Sequence, residues 1–312
     1  MSILTKEQID EAMIYADQLA KNNSWFSLSW IISKITGSDT DQKTALNLYK
    51  KLYDDYLLIH DYESSAYVAL KVASLSKIFS YETEEVYNWY QKCAINFKKM
   101  INHWERAVKV CNSLIAELEN ECRKNNKFKK LAVNIGAKCL EDMGKIYEEN
   151  QKYKESIRSY VDASDICEDA KSIELLCKVA DIHISINNNI ESAKDIYLKI
   201  LSKLKKDDFS AVLSIDYIFM LLLCEFNLHV KKSGALLSLE EKVKLYPVFK
   251  NSNEYHLLNN CINAYKENDT NEFTKVVNSY DAIYKLNPVK MKLLDDIRRV
   301  SDCKKYIGTA IY

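Results

Sequence analysis

From about residue 40 to residue 210, apolar and small residues recur at three- and four-residue spacing, the period of helices that bury one face. The words "TALNLYKKLYDDYLLI", "SIRSYVDASDI" and "SAKDIYLKILSKL" share a small residue followed four positions later by tyrosine, at Ala45–Tyr49, Ser156–Tyr160 and Ala193–Tyr197. Short polar turns carrying one bulky residue separate the helices: "HDYESSA", "NHWERAV", "NKFKKLA", "QKYKESI" and "NNIESAK". Their bulky positions, Tyr62, Trp104, Phe128, Tyr153 and Ile190, lie roughly 20–40 residues apart, the length of one or two helices in a tetratricopeptide-like array. A small residue lets neighbouring helices approach, and an aromatic from one hairpin fills the space left by the next. The pattern predicts an all-α protein, a twisted right-handed solenoid of antiparallel helix pairs with irregular repeat lengths.

The pattern changes near Asp207. "FSAVLSIDYIFMLLLCEFNLHV" is apolar nearly all round, which marks a helix buried on more than one side. Pro247 in "YPVF" and Pro288 in "LNP" break the chain, and "NEYHLLNNCINAYKEND" and "NEFTKVVNSYDAIYKL" between them read as amphipathic helices. The expected organisation is a helical-repeat sheet over residues 1–206, capped by a C-terminal helical bundle over residues 207–312.

Composition narrows the function more than the fold. Five glycines and two prolines are too few for a turn-rich β architecture. Lysine plus arginine equal aspartate plus glutamate at 44 each, which argues against a general nucleic-acid binder. The longest apolar runs are too short to span a bilayer, and "MSILTKEQIDEAM" lacks the plan of a signal peptide, so a cytoplasmic protein is expected. Nine scattered cysteines form no C-x-x-C pair and read as reduced, mostly buried thiols. The five histidines fit no triad and no H-E-x-x-H, and no glycine-rich phosphate loop exists, so no catalytic residue, metal ligand, cofactor or small-molecule substrate is assigned.

One stretch fits neither regime. "NNSWFSLSWIISKITGS", residues 22–38, concentrates Trp25, Phe26, Leu28, Trp30, Ile31, Ile32 and Ile35 without a helical stripe or a strand alternation. Its periodicity allows the start of a core helix, a strand or an exposed apolar loop.

Several C-terminal words, taken in order, carry a family resemblance. "DYIFMLLLCEF", "LEEKVKLYPVFKNSNEYHLL", "AYKENDTNEFTKVVNSYDAIYKL" and "LLDDIRR" resemble the C-terminal third of the soluble NSF attachment proteins (SNAPs), the α type more than the γ type. "INFKKM", "AKCLEDMGKIYEE", "LCKVAD" and "SAKDIY" extend the resemblance back through the repeats, so that it covers almost the whole chain. It implies an adaptor without catalytic chemistry, which coats the four-helix SNARE complex (syntaxin-like partners) at a membrane surface and recruits the hexameric ATPase NSF to disassemble it. Localisation would be cytoplasmic and peripheral to the membrane.

The resemblance also assigns sites. "NSWFSLSWIISK" falls where the family carries a membrane-touching loop, which implies lipid contact by Trp25, Phe26, Leu28, Trp30 and Ile31. Lys98, Lys99 and Lys138 fall where the family presents basic residues to the acidic SNARE bundle. The NSF-facing end is implied at Glu267, Leu294, Asp295 and Ile311. Two departures stand out. A family basic position falls near Glu174, and the positions that should be acidic hold His229, Asn263 and Lys266, with Glu267 alone retained. The chain ends "RRVSDCKKYIGTAIY" where the family has an acidic tail, with nearby Glu254, Asp269, Glu272, Asp295 and Asp296 as other sources of negative charge. An inhibitor or mimic that binds SNAREs or membrane without productive NSF engagement is therefore one alternative, and a generic helical-repeat scaffold is another.

Overall fold

The computed structural model describes residues 4–21, 40–79, 83–100, 103–124, 129–167, 169–204, 208–232 and 239–309. Among these the chain is helical throughout, with no strand. It divides into two compact units, Met1–Cys167 and Glu168–Tyr312.

The first unit contains α1 (Lys6–Lys21), α2 (Thr40–Leu58), α3 (Tyr62–Ile78), α4 (Thr83–Lys98), α5 (Trp104–Lys124), α6 (Lys129–Glu149) and α7 (Tyr153–Ile166). Each helix packs on the next in sequence, and α3 also packs on α5 and α4 on α6. These contacts build two layers of a helical-repeat stack, with odd-numbered helices in one and even-numbered helices in the other. Side chains bridge neighbours within a layer: Lys71 of α3 to Asp17 of α1 at 2.5 Å, Arg106 of α5 to Glu63 of α3 at 3.5 Å, and Lys50 of α2 to Glu85 of α4 at 2.7 Å.

The sequence signals have identifiable structural roles. Tyr62, Trp104, Tyr153 and Ile190 are the first residues of alternate helices, each directly after its turn, while Phe128 lies outside the described residues. The small-x-x-x-Tyr pairs are buried in every case, Ala45, Ser156 and Ala193 together with Tyr49, Tyr160 and Tyr197. Their hydroxyls are not wasted in the interior: Tyr49 donates to Asp17 at 2.5 Å and Tyr160 to Glu148 at 2.9 Å. Asn96 of α4 donates from the core to Ser65 of α3 at 3.0 Å and Tyr53 of α2 at 3.3 Å, which fixes the register of three helices.

The turns explain how so few glycines suffice. His60, Gln151 and Asn268 take φ values of 59, 59 and 53°, the left-handed position that usually calls for glycine. In each turn the following residue sends its N–H back to the carbonyl five residues earlier: Asp61 to Tyr56, Lys152 to Tyr147 and Asp269 to Ala264, at 2.8–2.9 Å. That residue immediately begins the next helix, and Asp61 and Asp269 cap it by accepting from Ser64 and from Asn271 and Glu272. One device thus ends a helix, reverses the chain and starts the next helix within three residues.

The second unit holds α8 (Asp169–Ser185), α9 (Ile190–Lys203), α10 (Asp208–Lys232), α11 (Leu239–Leu245), a 3-10 turn (Pro247–Asn251), α12 (Asn253–Lys266), α13 (Thr270–Tyr284) and α14 (Pro288–Thr309). Helix α10 is its axis, with Ile218 to Cys224, Phe226 and Val230 all buried against α9, α12 and α14. Asn227, itself buried, donates to the Leu293 carbonyl at 3.3 Å and ties α10 to α14. Pro247 and Pro288 stand at helix starts, where a missing N–H costs nothing. The α8–α9 pair keeps the hairpin pattern of the repeats while packing on α10. The chain therefore divides by compactness at 167/168, whereas its sequence pattern changes near 207.

Candidate functional site

In the first unit, lysines of α4 and α6, two of them singled out in the sequence, gather around two carboxylates of α6. Lys98, the last residue of α4, reaches Asp142 of α6 at 2.7 Å. Lys138 lies 3.1 Å from Glu141 and 3.7 Å from Asp142, while Lys145 lies 3.0 Å from Glu141 and 3.8 Å from Asp142. Three ammonium groups from two helices thus share two carboxylates, and Glu141 is only 4% exposed at its side chain. Glu141 and Asp142 are largely covered, while the side chains of Lys98, Lys138 and Lys145 are about half exposed. Nearly two turns back on α4, Lys92 stands 3.7 Å over the Trp89 ring, which meets Tyr53 edge-on at 5.2 Å. Ile95, between Lys92 and Lys98, is 52% exposed.

Lys98 and Lys138 therefore converge, and Lys99 does not join them. Lys99 lies over Tyr62 at 5.1 Å and lines a separate polar hollow of about 420 Å³ with His60, His103 and Arg106. Lys145, missing from the sequence assignment, sits two helical turns after Lys138 with Glu141 and Asp142 between them. That seven-residue spacing is the signal that could have found it.

Glu174, the departure from the expected basic position, is flanked on its own helix by Lys171 at 3.0 Å and Lys178 at 3.8 Å. The face at this spacing runs Lys171, Glu174, Lys178 and Asp181, two lysines against two acids, so α8 is balanced there.

At the other end, Glu267 closes α12 on an exposed surface with Asn263 and Lys266. Leu294 is buried in the core of the second unit, so its side chain supports α14 and does not face a partner. Asp295 is half-buried and lies 3.5 Å from Arg298, Asp296 lies 3.3 Å from Lys292 and Glu272 lies 3.2 Å from Lys275. Glu254 accepts from Tyr280 at 3.0 Å. These four acids thus each have a basic or hydroxyl neighbour, as the lysines of the α4–α6 face have acidic ones. Ile311 and the five apolar residues Trp25, Phe26, Leu28, Trp30 and Ile31 lie outside the described residues.

Burial pushes the thiols of Cys177, Cys224 and Cys261 up to about 12. Burial likewise raises Tyr217 to about 12 and lowers His183. Among the described residues no group of His, Cys, Asp and Glu is arranged to hold a metal ion, and no helix is long and apolar enough to cross a membrane.

Comparison with known proteins extends over nearly the whole chain. Residues 8–301 match the family model described as "Soluble NSF attachment protein, SNAP". The human alpha-soluble NSF attachment protein is 25% identical over 243 residues, covering 67% of this chain and 81% of the relative, and the mouse protein of the same name gives the same figures. The vesicular-fusion protein SEC17 of Komagataella phaffii is 24% identical over 169 residues, covering 52% of this chain and 57% of the relative.

Proposed function

Because this chain belongs to the soluble NSF attachment protein family, we propose that it is a SNAP-type adaptor of vesicle fusion that engages SNARE complexes through the lysines shared between α4 and α6. The observation that carries the reading is the convergence of Lys98, Lys138 and Lys145 on Asp142 and Glu141, on one face of the helical-repeat unit. A four-helix coiled coil is a rod with a partly acidic surface. A stack of parallel-layered helices offers it a long face, and the fixed cations set the rod's register. Each lysine–carboxylate contact is worth little in water, so affinity comes from several acting together. The adaptor performs no chemistry of its own in this reading. The apolar segment with Trp25, Phe26, Leu28, Trp30 and Ile31 adds a reversible membrane contact that raises the local concentration of SNAREs.

The test is binding of a soluble SNARE four-helix complex to the full-length protein. Lys98→Glu with Lys138→Glu should weaken it at least tenfold, and adding Lys145→Glu should weaken it further, with the loss shrinking at high salt. Lys99→Glu, in its separate hollow, should have a smaller effect. Unchanged affinity in the triple variant would remove this face from the account.

Recruitment of NSF is a distinct part of the proposal. Glu267, exposed, and Asp295, half-buried, supply negative charge toward the ATPase, while Leu294 holds α14 from within. One observation favours a weaker alternative, that SNAREs are bound with little NSF engagement: Asp295, Asp296 and Glu272 are each matched by a nearby basic residue. Normal NSF recruitment onto a preformed SNARE complex would dismiss that alternative.

A further inference from the structure

In the odd-numbered layer of the first unit one helix is missing its neighbour. Helix α3 packs on α5, but α7 packs closely on α6 and makes no comparably close packing with α5. The result is a trough of about 820 Å³, walled by α5 and α7 and floored by α6.

The floor is a stripe spaced by threes and fours: Val133, Gly136, Leu140, Met143 and Tyr147. The α5 wall gives Ile115 and Leu118, and the α7 wall gives Glu155, Ser159, Asp162 and Ile166 at the same spacing. Two helices turn apolar residues spaced by threes and fours toward one vacant line, and the third borders it with mostly polar residues, a groove shaped for one amphipathic helix. The rim is acidic. Among the described lining residues, Glu119, Glu155, Asp162 and Asp165 are exposed acids and Arg158, 3.9 Å from Asp162, is the one cation.

Gly136 is independent evidence that the trough is kept open. Gly144 on the same helix is demanded by packing, since a Cβ there would come within 2.5 Å of the Tyr160 ring. At Gly136 the nearest atom to such a Cβ is Ile166 Cδ1 at 4.0 Å, so nothing in the fold forbids a side chain. Glycine in a helix interior destabilises by about 1 kcal/mol relative to alanine. Here that cost secures only the depth of the groove.

We propose that this trough is a docking site for an amphipathic, lysine- and arginine-flanked helix of a partner protein, separate from the basic α4–α6 face. Apolar residues at i, i+3/i+4 and i+7 would seat on Leu140 and Met143, and flanking cations would meet the rim carboxylates.

The experiment uses the full-length protein and two fluorescein-labelled helical peptides of about 18 residues. Both carry the same leucine stripe, one with lysine flanks and one with glutamate flanks. Anisotropy titration should show the lysine peptide binding at least tenfold more tightly, weakening with salt. Gly136→Phe, which fills the trough while improving helix propensity, should reduce that binding at least tenfold. Glu155→Lys with Asp162→Lys should narrow or invert the preference between the peptides. Equal binding of the two peptides, or binding unchanged by Gly136→Phe, would overturn the proposal. A concentration-dependent dimer abolished by Gly136→Phe would also overturn it, by assigning the trough to a second copy of the chain.

Discussion

At the scale of single residues, the fold depends on a few positions where side-chain size is dictated by a neighbour. Gly144 accommodates the ring of Tyr160, whose hydroxyl is anchored on Glu148. Gly144→Ala should therefore destabilise the first unit by about 1–3 kcal/mol through overpacking. Gly136→Ala should stabilise it by up to about 1 kcal/mol, because the added methyl meets open space and the helix gains propensity. Urea unfolding of the two variants checks the pair, and equal effects would mean that the Gly144–Tyr160 contact does not govern α6–α7 packing. The tyrosine itself was legible in the small-x-x-x-Tyr pattern. The glycine was not, because nothing in the sequence pairs position 144 with position 160. The left-handed turns at His60, Gln151 and Asn268 were hidden for a related reason. None is a glycine; an Asp or Lys followed by tyrosine marks the first two, and Asp269 followed by Thr270 marks the third.

At the scale of helices and their pairing, the two units should respond differently to acid. In the first unit, burial tends to raise the carboxyl of Asp17, but hydrogen bonds from Lys71 and Tyr49 outweigh it and hold the group below its usual 3.8. Asp61 is held low in the same way by Lys6 and Ser64, again against burial. A depressed carboxyl stabilises the folded state above its unfolded pKa, and that stability is lost as pH falls through and below about 4. In the second unit, burial lowers His183 below its usual 6.5, so the folded state prefers the neutral ring. Stability tied to His183 is complete above its unfolded pKa and declines as pH falls below about 6.5. Hydrogen exchange of the intact protein, followed by peptide, should show faster opening around α8 between pH 7 and pH 5, while α1 and α3 hold until near pH 4. His183→Gln should flatten the first response. Simultaneous loosening of both units across that range would contradict the assignment. Helix positions were the most legible part of this chain, since amphipathic periodicity and the two prolines mark them directly. Which helices would lie side by side was less so: Lys98 and Lys138 meet through Asp142, a contact made by α4–α6 packing that no local pattern encodes.

At the scale of the whole molecule, the family is carried by collinear words spread over most of the chain, and no short motif carries it alone. That distribution suits an adaptor, whose work is done by extended surfaces. Of the proposed basic face, the resemblance points to Lys98 and Lys138, Lys145 is evident only from the geometry of α6, and Lys99 lines a separate hollow. At the C-terminal end Leu294 is a core residue, because the apolar stripe that marks α14 as a helix is the same stripe that buries it. The central claim is that these surfaces let the chain couple SNARE complexes to NSF, and the most direct measurement is ATP-dependent SNARE disassembly reconstituted with NSF from the same source. The wild-type protein should support release of SNARE subunits, and Lys98→Glu/Lys138→Glu/Lys145→Glu should reduce it at least tenfold with the fold intact. Absence of release with wild-type protein bound to the SNARE complex, or full release with the triple variant, would contradict the account.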